Sequence, residues 1–243
     1  MDDVAAFYDG FGESCHLVYG DDWDGAAERH AAALDRLIRT ARPAARDLLD
    51  CSCGIGLARL GYRVTGTDLS ERAVEAARPA AEVDFAVCDF RDLDGIGGAF
   101  DVVLSYDNAV PHLLEDAEVE RALASMRRRL RPGGLLLVGI RDYDAAVADQ
   151  CAIAAPSLVE GPLRRLVARL HDWDAPGGPL HTVDFFVLTE EAAGWTFDRH
   201  HVRYRALTRE ALARAAGAAG LRDVRWTMPG ESGLGQPVTT ACA

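Results

Sequence analysis

The chain is 243 residues long and 49% hydrophobic, which is enough for one α/β domain with its own core. It carries 38 acidic and 26 basic residues, and the net charge of −12 disfavours nucleic acid and anionic membranes as partners. No stretch approaches the roughly 20 apolar residues of a membrane span, and the first residues lack the basic start and apolar run of a secretory signal. We therefore expect a cytoplasmic protein.

The six cysteines do not form a pattern. None lies in a C-x-x-C pair, so neither a zinc site nor a disulfide framework is predicted. Cys51 and Cys53, beside the first predicted strand, are interpreted as small buried side chains rather than reactive thiols. No cluster of His, Asp and Glu suggests another metal site.

Residues 1–42 are interpreted as an N-terminal helical cap. A helix is predicted from about Asp24 to Ala41, and Pro43 follows its end. Its apolar positions recur at helical spacing: Ala27, Ala31, Leu34 and Ile38.

Residues 43–143 alternate short apolar runs with helical patterns. The apolar runs are RDLLDC, YRVTGTD, VDFAVCD, FDVVLSYD and GLLLVGIRDYD, and the helical patterns include ERAVEAAR and DAEVERALASMRRRL. Such alternation, with strands buried on both faces, predicts a parallel sheet in a doubly wound α/β fold.

Residues 151–206 have a different pattern. Three runs of β-type composition, LRRLVARLHDW, HTVDFFVLTE and GWTFDRHHVRYRAL, are separated by the turn signals DAPGGP and EAAG. They predict an antiparallel cover laid over the parallel sheet. Residues 207–243 predict a helix and two strands, and the whole chain is interpreted as one domain.

Polar residues follow the ends of four predicted strands. After Asp50, glycines 54 and 56 in DCSCGIG let the backbone bend tightly and approach a ligand. Asp68 closes the second strand, where a carboxylate can accept both hydroxyls of a ribose. The motifs CDF and SYDN end the third and fourth strands. Because open parallel sheets bind ligands at strand carboxyl ends, this order favours a nucleotide-like cofactor.

On these motifs the chain resembles the class I S-adenosylmethionine-dependent methyltransferases. SYDNAVPHL and RPGGLLLVGIRDYD are similar to the glycine and sarcosine N-methyltransferase-like branch, and the motifs span residues 45–143. The resemblance implies a Rossmann-like seven-stranded sheet with an antiparallel β insertion after the fifth strand, and S-adenosylmethionine as cofactor. It also implies methyl transfer to a small soluble acceptor, with an amine or amino-acid nitrogen favoured.

The resemblance also implies roles for individual residues. On the cofactor side these are Asp50, Ser52, Gly54 and Gly56 at the amino-acid end, Asp68 and Leu69 at the ribose and adenine, Asp89 and Phe90 at the adenine, and Ser105 at the methionyl end. On the acceptor side, Asp107, Asn108 and His112 would face the substrate, with Arg141 and Tyr143 at the next strand end. Tyr8, His16 and Tyr19 lie in a segment that folds over the pocket in this branch.

Several of these residues also have a purely structural interpretation. His112 either touches the substrate or packs at a helix start, and Asn108 can simply satisfy backbone groups in its turn. Arg141 either binds a substrate carboxylate bidentately or pairs with a neighbouring aspartate. The N-terminal aromatic residues either line the methyl-transfer channel or only attach their segment to the domain. His112 and Asp107 are the candidates for removing a proton from an acceptor amine.

The connection between the first two strands is unusually short. Only residues 57–60 separate Gly56 from Gly61, and ten residues lie between Cys51 and Tyr62. A parallel crossover normally needs about a dozen residues or more. Either a real shortening weakens the cofactor site, or a segment is missing at this point; the intact flanking strands and motif ends, which include Asp68, favour the second explanation.

Three functions therefore remain open. The first is methyl transfer to an amine nitrogen, and the second is methyl transfer to a hydroxyl or carboxylate oxygen of a small metabolite. The third is a noncatalytic partner or regulator with a disabled cofactor site. A dinucleotide oxidoreductase is disfavoured because Arg59 occupies the place of the third glycine in G-x-G-x-x-G. The sequence does not predict the oligomeric state.

Overall fold

The structure is a computed structural model that describes residues 2–12, 14, 17, 23–52, 56–78, 83–160 and 163–243. Four residues singled out in the sequence lie outside this part of the chain: His16, Tyr19, Cys53 and Gly54. The helices are α1 (Asp2–Phe11), α2 (Trp23–Ala41), α3 (Glu71–Ala77), α4 (Asp116–Arg129), α5 (Tyr143–Asp149), α6 (Arg209–Ala218) and α7 (Pro229–Ser232). No helix of the described part is long and apolar enough to span a membrane.

The strands form two sheets. They are β1 (Asp47–Asp50), β2 (Arg63–Asp68), β3 (Asp84–Val87), β4 (Phe100–Ser105), β5 (Leu130–Gly139), β6 (Ile153–Val159), β7 (Arg165–Trp173), β8 (Leu180–Glu191), β9 (Gly194–Arg205), β10 (Arg222–Thr227) and β11 (Val238–Cys242). The larger sheet has the order β3-β2-β1-β4-β5-β11-β10, with β11 and β10 antiparallel to their neighbours and the other pairs parallel. This confirms the predicted seven-stranded, doubly wound sheet. The strand order reverses between β1 and β4, where such sheets bind their ligands.

Helices cover both faces of the large sheet. Because side chains alternate along a strand, Val103 and Leu104 of β4 face opposite ways. Val103 belongs to a core with Leu123 of α4 and Leu212 of α6. Leu104 belongs to a second core with Ile38 of α2. The helix α2 is therefore part of the packing of the parallel sheet.

The smaller sheet is antiparallel, with the order β6-β7-β8-β9. It follows β5 and α5, as predicted, but it contains a fourth strand, β6, that the sequence pattern did not reveal. Pro156 interrupts this strand, and its register against β7 shifts between Ala154 and Ser157. Proline has no N–H to donate and is tolerated on an edge strand, which explains why the pattern was missed.

The short connection between β1 and β2 contains no α-helix in its described part. It forms a single 3-10 turn, Ala58–Leu60, that ends at Gly61 with a φ of 89°. The two strands nevertheless pair in parallel, from Asp47 with Arg63 onwards. The connection packs closely on α2, because a Cβ at Gly56 would lie only 2.7 Å from the Cβ of Ala31.

The RPGG sequence lies directly before the apolar run of the fifth strand. In the structure β5 begins at Leu130 and includes these residues, with Gly133 at a positive φ of 72°. The register between β4 and β5 shifts at the same point. Arg131 donates to Asp101 of β4 and Asp47 of β1, so it joins β5 to these two strands.

Candidate active site

Asp50 and Ser52 join the end of β1 to the end of β4. The Oδ1 atom of the buried Asp50 accepts hydrogen bonds from the Ser52 backbone N–H at 3.0 Å and from the Ser52 hydroxyl at 3.2 Å. The Ser52 oxygen in turn accepts from the backbone N–H of Tyr106 at 3.1 Å. This network fixes the backbone at the strand switch point, where the predicted glycine turn begins.

Asp68 lies at the end of β2 and contacts the N-terminal helix through Ser70. Its Oδ1 atom accepts from the Ser70 N–H at 2.9 Å, and the Ser70 hydroxyl donates to Asp9 of α1 at 2.5 Å. Burial raises the pKa of Asp68, and the charge of Asp9 acts in the same direction. The half-buried Leu69 follows directly. Helix α1 therefore lies next to the position predicted for the cofactor ribose.

Asp89 is held by a residue that the sequence interpretation missed. The guanidinium of Arg91 donates to both of its carboxylate oxygens, to Oδ1 at 3.1 Å and to Oδ2 at 2.6 Å in the shortest contact, and it also contacts Glu118. Burial alone would raise the pKa of Asp89, but the hydrogen bonds from Arg91 hold it below its usual value. Asp89 is thus an ionised acceptor at the predicted adenine position, with Phe90 buried beside it.

These strand ends fit S-adenosylmethionine by the chemistry of their side chains. Carboxylates end β2 and follow β3, where the ribose hydroxyls and the adenine amine require hydrogen-bond acceptors. Ser105, at the end of β4, is fully buried, and its hydroxyl has no hydrogen-bond partner among the described residues. A buried unpaired polar group is costly, so this hydroxyl favours a polar ligand group at the same end of the sheet.

A cavity of about 600 Å³ lies between the ends of β4 and β5, helices α1 and α5, and the inner face of the antiparallel sheet. Five of the residues predicted to face the acceptor line it: Tyr8, Asp107, Asn108, Arg141 and Tyr143. Aromatic side chains from α1 and the antiparallel sheet form much of its wall, among them Phe7, Phe11, Trp173, Phe185 and Tyr204. The structure thus gathers residues from distant parts of the chain around one candidate acceptor site.

His112 does not line this cavity itself. It is 5% exposed, its ring lies 4.3 Å from that of Tyr204, and its Nε2 atom is 2.9 Å from the phenolic oxygen of Tyr8. Burial lowers the pKa of His112 to about 4, so the imidazole is neutral at physiological pH. His112 reaches the acceptor cavity through the hydroxyl of Tyr8.

Asn108 joins the ends of β4 and β5. Its Oδ1 atom accepts from the Arg141 backbone N–H, and its amide nitrogen donates to the hydroxyl of Tyr143, both at 3.0 Å. Asp107 and Asn108 have φ values of 65° and 68°, a left-handed conformation that Asn and Asp tolerate better than most residues. The turn role suggested for Asn108 and a place in the cavity wall are therefore compatible.

Arg141 points towards the antiparallel sheet rather than pairing with the neighbouring aspartates. Its guanidinium lies 3.1 Å from Nε2 of His171, while Asp142 and Asp144 pair with Arg209. Tyr143 is fully buried, and burial raises its pKa to about 12. Of the two interpretations of Arg141, contact with an acceptor is the one that this geometry favours.

The sequence interpretation also missed the contribution of β7 and β8 to the cavity. His171 and Trp173 are two positions apart on β7, so both side chains lie on its inner face. Trp173 pairs in register with His181 of β8. The indole and imidazole rings are stacked, with centroids 4.4 Å apart. The alternation in RLHDW was the available signal, but only the pairing of the strands shows which face lies inward.

Comparison with known proteins supports the same family. Residues 48–134 match the family model described as a methyltransferase domain. The dTDP-4-amino-2,3,4,6-tetradeoxy-D-glucose N,N-dimethyltransferase of Saccharopolyspora spinosa is 34% identical over 142 residues, 56% of this chain and 53% of that protein. A ubiquinone biosynthesis O-methyltransferase of Mesorhizobium japonicum is 36% identical over 44% of this chain and 46% of its own length. The chain thus spans about half the length of these two relatives.

Longer matches cover most of the chain. YqeM of Bacillus subtilis, by name a methyltransferase, is 31% identical over 178 residues, 68% of this chain and 69% of that protein. The structure of S-adenosylmethionine-bound CalS10, an amino pentose methyltransferase from Micromonospora echinaspora, superposes with a TM-score of 0.74 at 26% identity, covering 89% and 91% of the two chains. DesVI of Streptomyces venezuelae has the same fold, with a TM-score of 0.75 at 24% identity over 98% and 97% of the chains. The chain therefore belongs to the class I methyltransferases, and its cofactor is S-adenosylmethionine.

Proposed function

We propose that the protein transfers the methyl group of S-adenosylmethionine to an amine nitrogen of a small molecule, with an amino sugar as the favoured class of acceptor. The observation that carries the placement of methyl transfer in this cavity is the contact between Tyr8 and His112 at its wall. The amino sugars named for the Saccharopolyspora relative and for CalS10 support the choice of acceptor.

When bound, the cofactor supplies a methyl group that its sulfonium already activates. The main task of the protein is then to hold the acceptor nitrogen in line with that methyl group, and positioning of this kind is worth about 7–11 kcal/mol. We assign this task to the rigid wall formed by the aromatic side chains, Asn108 and Tyr143. The left-handed backbone at Asp107 and Asn108 belongs to the same wall.

The acceptor nitrogen must lose its proton before it can attack. Because the pKa of His112 is about 4, its imidazole stays neutral, so Nε2 can accept a hydrogen bond from the Tyr8 hydroxyl. In this proposal His112 therefore orients Tyr8, and the oxygen lone pairs of Tyr8 accept an N–H of the acceptor. Asp107, exposed at the cavity, attracts the ammonium form and takes part in removing its proton.

The cofactor-side assignments remain part of the proposal. Asp68 would accept the ribose hydroxyls, and Asp89 would accept from the adenine amine beside Phe90. Asp50 and Ser52 would shape the turn at the amino-acid end, with Gly54, Gly56 and Ser105 around it and Leu69 against the adenine. The pairing of Asp89 with Arg91 supports an ionised acceptor at the adenine position.

Oxygen methylation is the second candidate, because the ubiquinone O-methyltransferases are among the relatives. A hydroxyl acceptor would use Tyr8 and His112 in the same way, so the acceptor atom must be tested directly. The third candidate, a noncatalytic regulator, requires that the short connection between β1 and β2 prevents cofactor binding.

The test compares matched acceptors. Amino sugars and their hydroxyl analogues are incubated with S-adenosylmethionine, and the methylated atom is identified by mass spectrometry and NMR. We expect methylation of the amine only, with turnover reduced by Tyr8→Phe and unchanged by Tyr62→Phe, whose hydroxyl contacts Asp35 outside the cavity. Methylation of the hydroxyl analogues alone would establish the oxygen alternative. No calorimetric binding of S-adenosylhomocysteine to the folded protein would exclude both transfer reactions and leave the regulator as the remaining candidate.

A further inference from the structure

Two guanidinium groups and an imidazole occupy one corner of the acceptor cavity. Arg141 follows the end of β5. Arg169 and His171 are two positions apart on β7, and both lie on its inner face. One terminal nitrogen of Arg141 lies 3.1 Å from Nε2 of His171. We call these three residues the cationic corner.

The imidazole does not offset the charge of the cationic corner. Burial lowers the pKa of His171 to about 3, and the charges of Arg141 and Arg169 act in the same direction. His171 is therefore neutral and accepts a hydrogen bond from Arg141. Among the described residues Arg141 makes no ion pair. Its neighbours Asp142 and Asp144 both pair with Arg209 instead.

The wall next to this corner also contains hydrogen-bond donors without partners. Trp173, two residues after His171 on the same face of β7, has a buried indole N–H that no acceptor of the described chain reaches. The side-chain amide nitrogen of Gln236 is buried and unpaired in the same cavity wall. Each of these groups can only donate, and a buried unpaired donor costs about 1–3 kcal/mol. An acceptor-rich ligand would offset that cost.

We infer that the cationic corner is a subsite for an oxyanion of the methyl acceptor, held by Arg141 and Arg169 while His171 orients the Arg141 guanidinium. Guanidinium groups bind carboxylates and phosphates bidentately, so either oxyanion fits. This inference rests on the proposed function and extends it. The acceptor carries its amine at the Tyr8 end of the cavity and its oxyanion at the other.

The size of the cavity narrows the acceptor further. A volume of about 600 Å³ lies within the range of sites that enclose drug-sized ligands. A simple amino acid would leave most of the aromatic wall formed by Phe7, Phe11 and Tyr204 uncovered. The favoured acceptor therefore has a ring or chain that separates its amine from its oxyanion.

Calorimetric titration of the protein loaded with S-adenosylhomocysteine tests the subsite without any methyl transfer. The probes are inorganic phosphate, pyrophosphate and benzoate, each at constant ionic strength. We expect saturable binding of at least one probe, weakened at least tenfold by Arg141→Gln and by Arg169→Gln. Arg141→Lys should retain part of the affinity. The control Arg164→Gln should retain all of it, because Arg164 directly precedes β7 but pairs with Glu190 outside the cavity.

The three probes also distinguish the source of the oxyanion. Preference for phosphate or pyrophosphate supports a phosphorylated acceptor, and preference for benzoate supports a carboxylate. Binding of no probe, or equal binding by wild type and both glutamine variants, would overturn the subsite. If probes bind through Arg141 but only hydroxyl acceptors are methylated, the proposed amine function fails and the subsite stands.

Discussion

The phenolic oxygen of Tyr8 lies 2.9 Å from Nε2 of His112, although the two residues are 104 positions apart in the chain. The contact brings helix α1 to the short 3-10 turn Val110–His112 that follows β4. Next to Tyr8, Asp9 contacts Ser70, which lies two residues after the end of β2. One helix thus touches both the candidate acceptor cavity and the candidate ribose position.

Removing the Tyr8 hydroxyl should slow methyl transfer. Tyr8→Phe keeps the ring, which packs edge-on against Phe7, but removes the oxygen that contacts His112. We expect kcat to fall about a hundredfold, in the range typical of proton-transfer groups, with little change in the KM for the cofactor. Steady-state kinetics with Tyr62→Phe as the control measure this.

The Tyr8 and His112 substitutions should not be additive. Because His112 acts through Tyr8, the double variant Tyr8→Phe, His112→Asn should be no slower than Tyr8→Phe alone. Additive losses would mean that His112 contacts the acceptor independently of Tyr8, and the orienting role would be wrong.

The buried histidines should make the fold sensitive to mild acid. Burial lowers the pKa of His112 and His181 to about 4 and that of His171 to about 3, below the usual 6.5. The folded protein therefore binds protons at these histidines more weakly than the unfolded chain does. The stability that the neutral histidines contribute is complete above about pH 6.5. It is lost as the pH falls from 6.5 towards 4, because the unfolded chain binds the protons.

Urea unfolding at pH 7.5 and pH 5.5 measures this effect. We expect a lower free energy of unfolding at pH 5.5, with a contribution on the order of 1 kcal/mol from His112. His112→Asn should reduce the difference between the two pH values, whereas His201→Gln, at an exposed position, should preserve it. An unchanged pH difference in the His112 variant would contradict the assignment.

Asp68 should matter for cofactor affinity and not for stability. Asp68→Asn removes a buried charge whose raised pKa shows that burial disfavours it. We expect an unfolding free energy at neutral pH that is equal to or above that of the wild type. That advantage should shrink as the pH falls towards the raised pKa, where the wild-type carboxyl is also neutral.

The affinity for S-adenosylhomocysteine should change in the opposite direction. Loss of the charged acceptor should weaken binding at least tenfold, since a hydrogen bond to a charged group contributes about 1.5–3 kcal/mol. Calorimetric titration measures the affinity, and Asp84→Asn, at an exposed position at the start of β3, is the matched control. Undiminished affinity would remove Asp68 from the cofactor site.

The close approach at Gly56 can be tested by a pair of substitutions. A Cβ at this position would lie 2.7 Å from the Cβ of Ala31, so Gly56→Ala should destabilise the fold by about 1–3 kcal/mol. Ala31→Gly makes room at a helix cost of about 1 kcal/mol, and the double variant should lose less stability than the sum of the two. Gly95→Ala, which meets no atom within 4 Å, is the control in urea unfolding. A strictly additive result would mean that α2 and the short connection do not press on each other.

The sequence predicted those features that depend on local pattern. The strands of the large sheet were recognisable as apolar runs, and Asp50, Asp68 and Asp89 were recognisable because each lies at or just after a strand end. Since parallel strands bring their carboxyl ends to one edge, these residues were expected near each other. The structure places them at the predicted ends.

Features that depend on pairing between distant segments were not predictable in the same way. His171, Trp173 and His181 enter the cavity because of the register of β7 on β8, which no local pattern fixes. Strand β6 was missed because Pro156 interrupts its alternation. The engagement of Asp89 by Arg91 depends on a side-chain conformation rather than on spacing.

The packing of α2 makes the N-terminal part of the chain a component of the hydrophobic core and not only a cap beside the site. Ile38 and Leu34 share a buried core with Val102 and Leu104 of the central strand β4. Because the described part of the connection after β1 contains no α-helix, removal of the N-terminal residues through α2 would expose the central strands to solvent. Loss of activity in such a truncated protein would then indicate unfolding. It could not be attributed to the loss of residues that contact the acceptor.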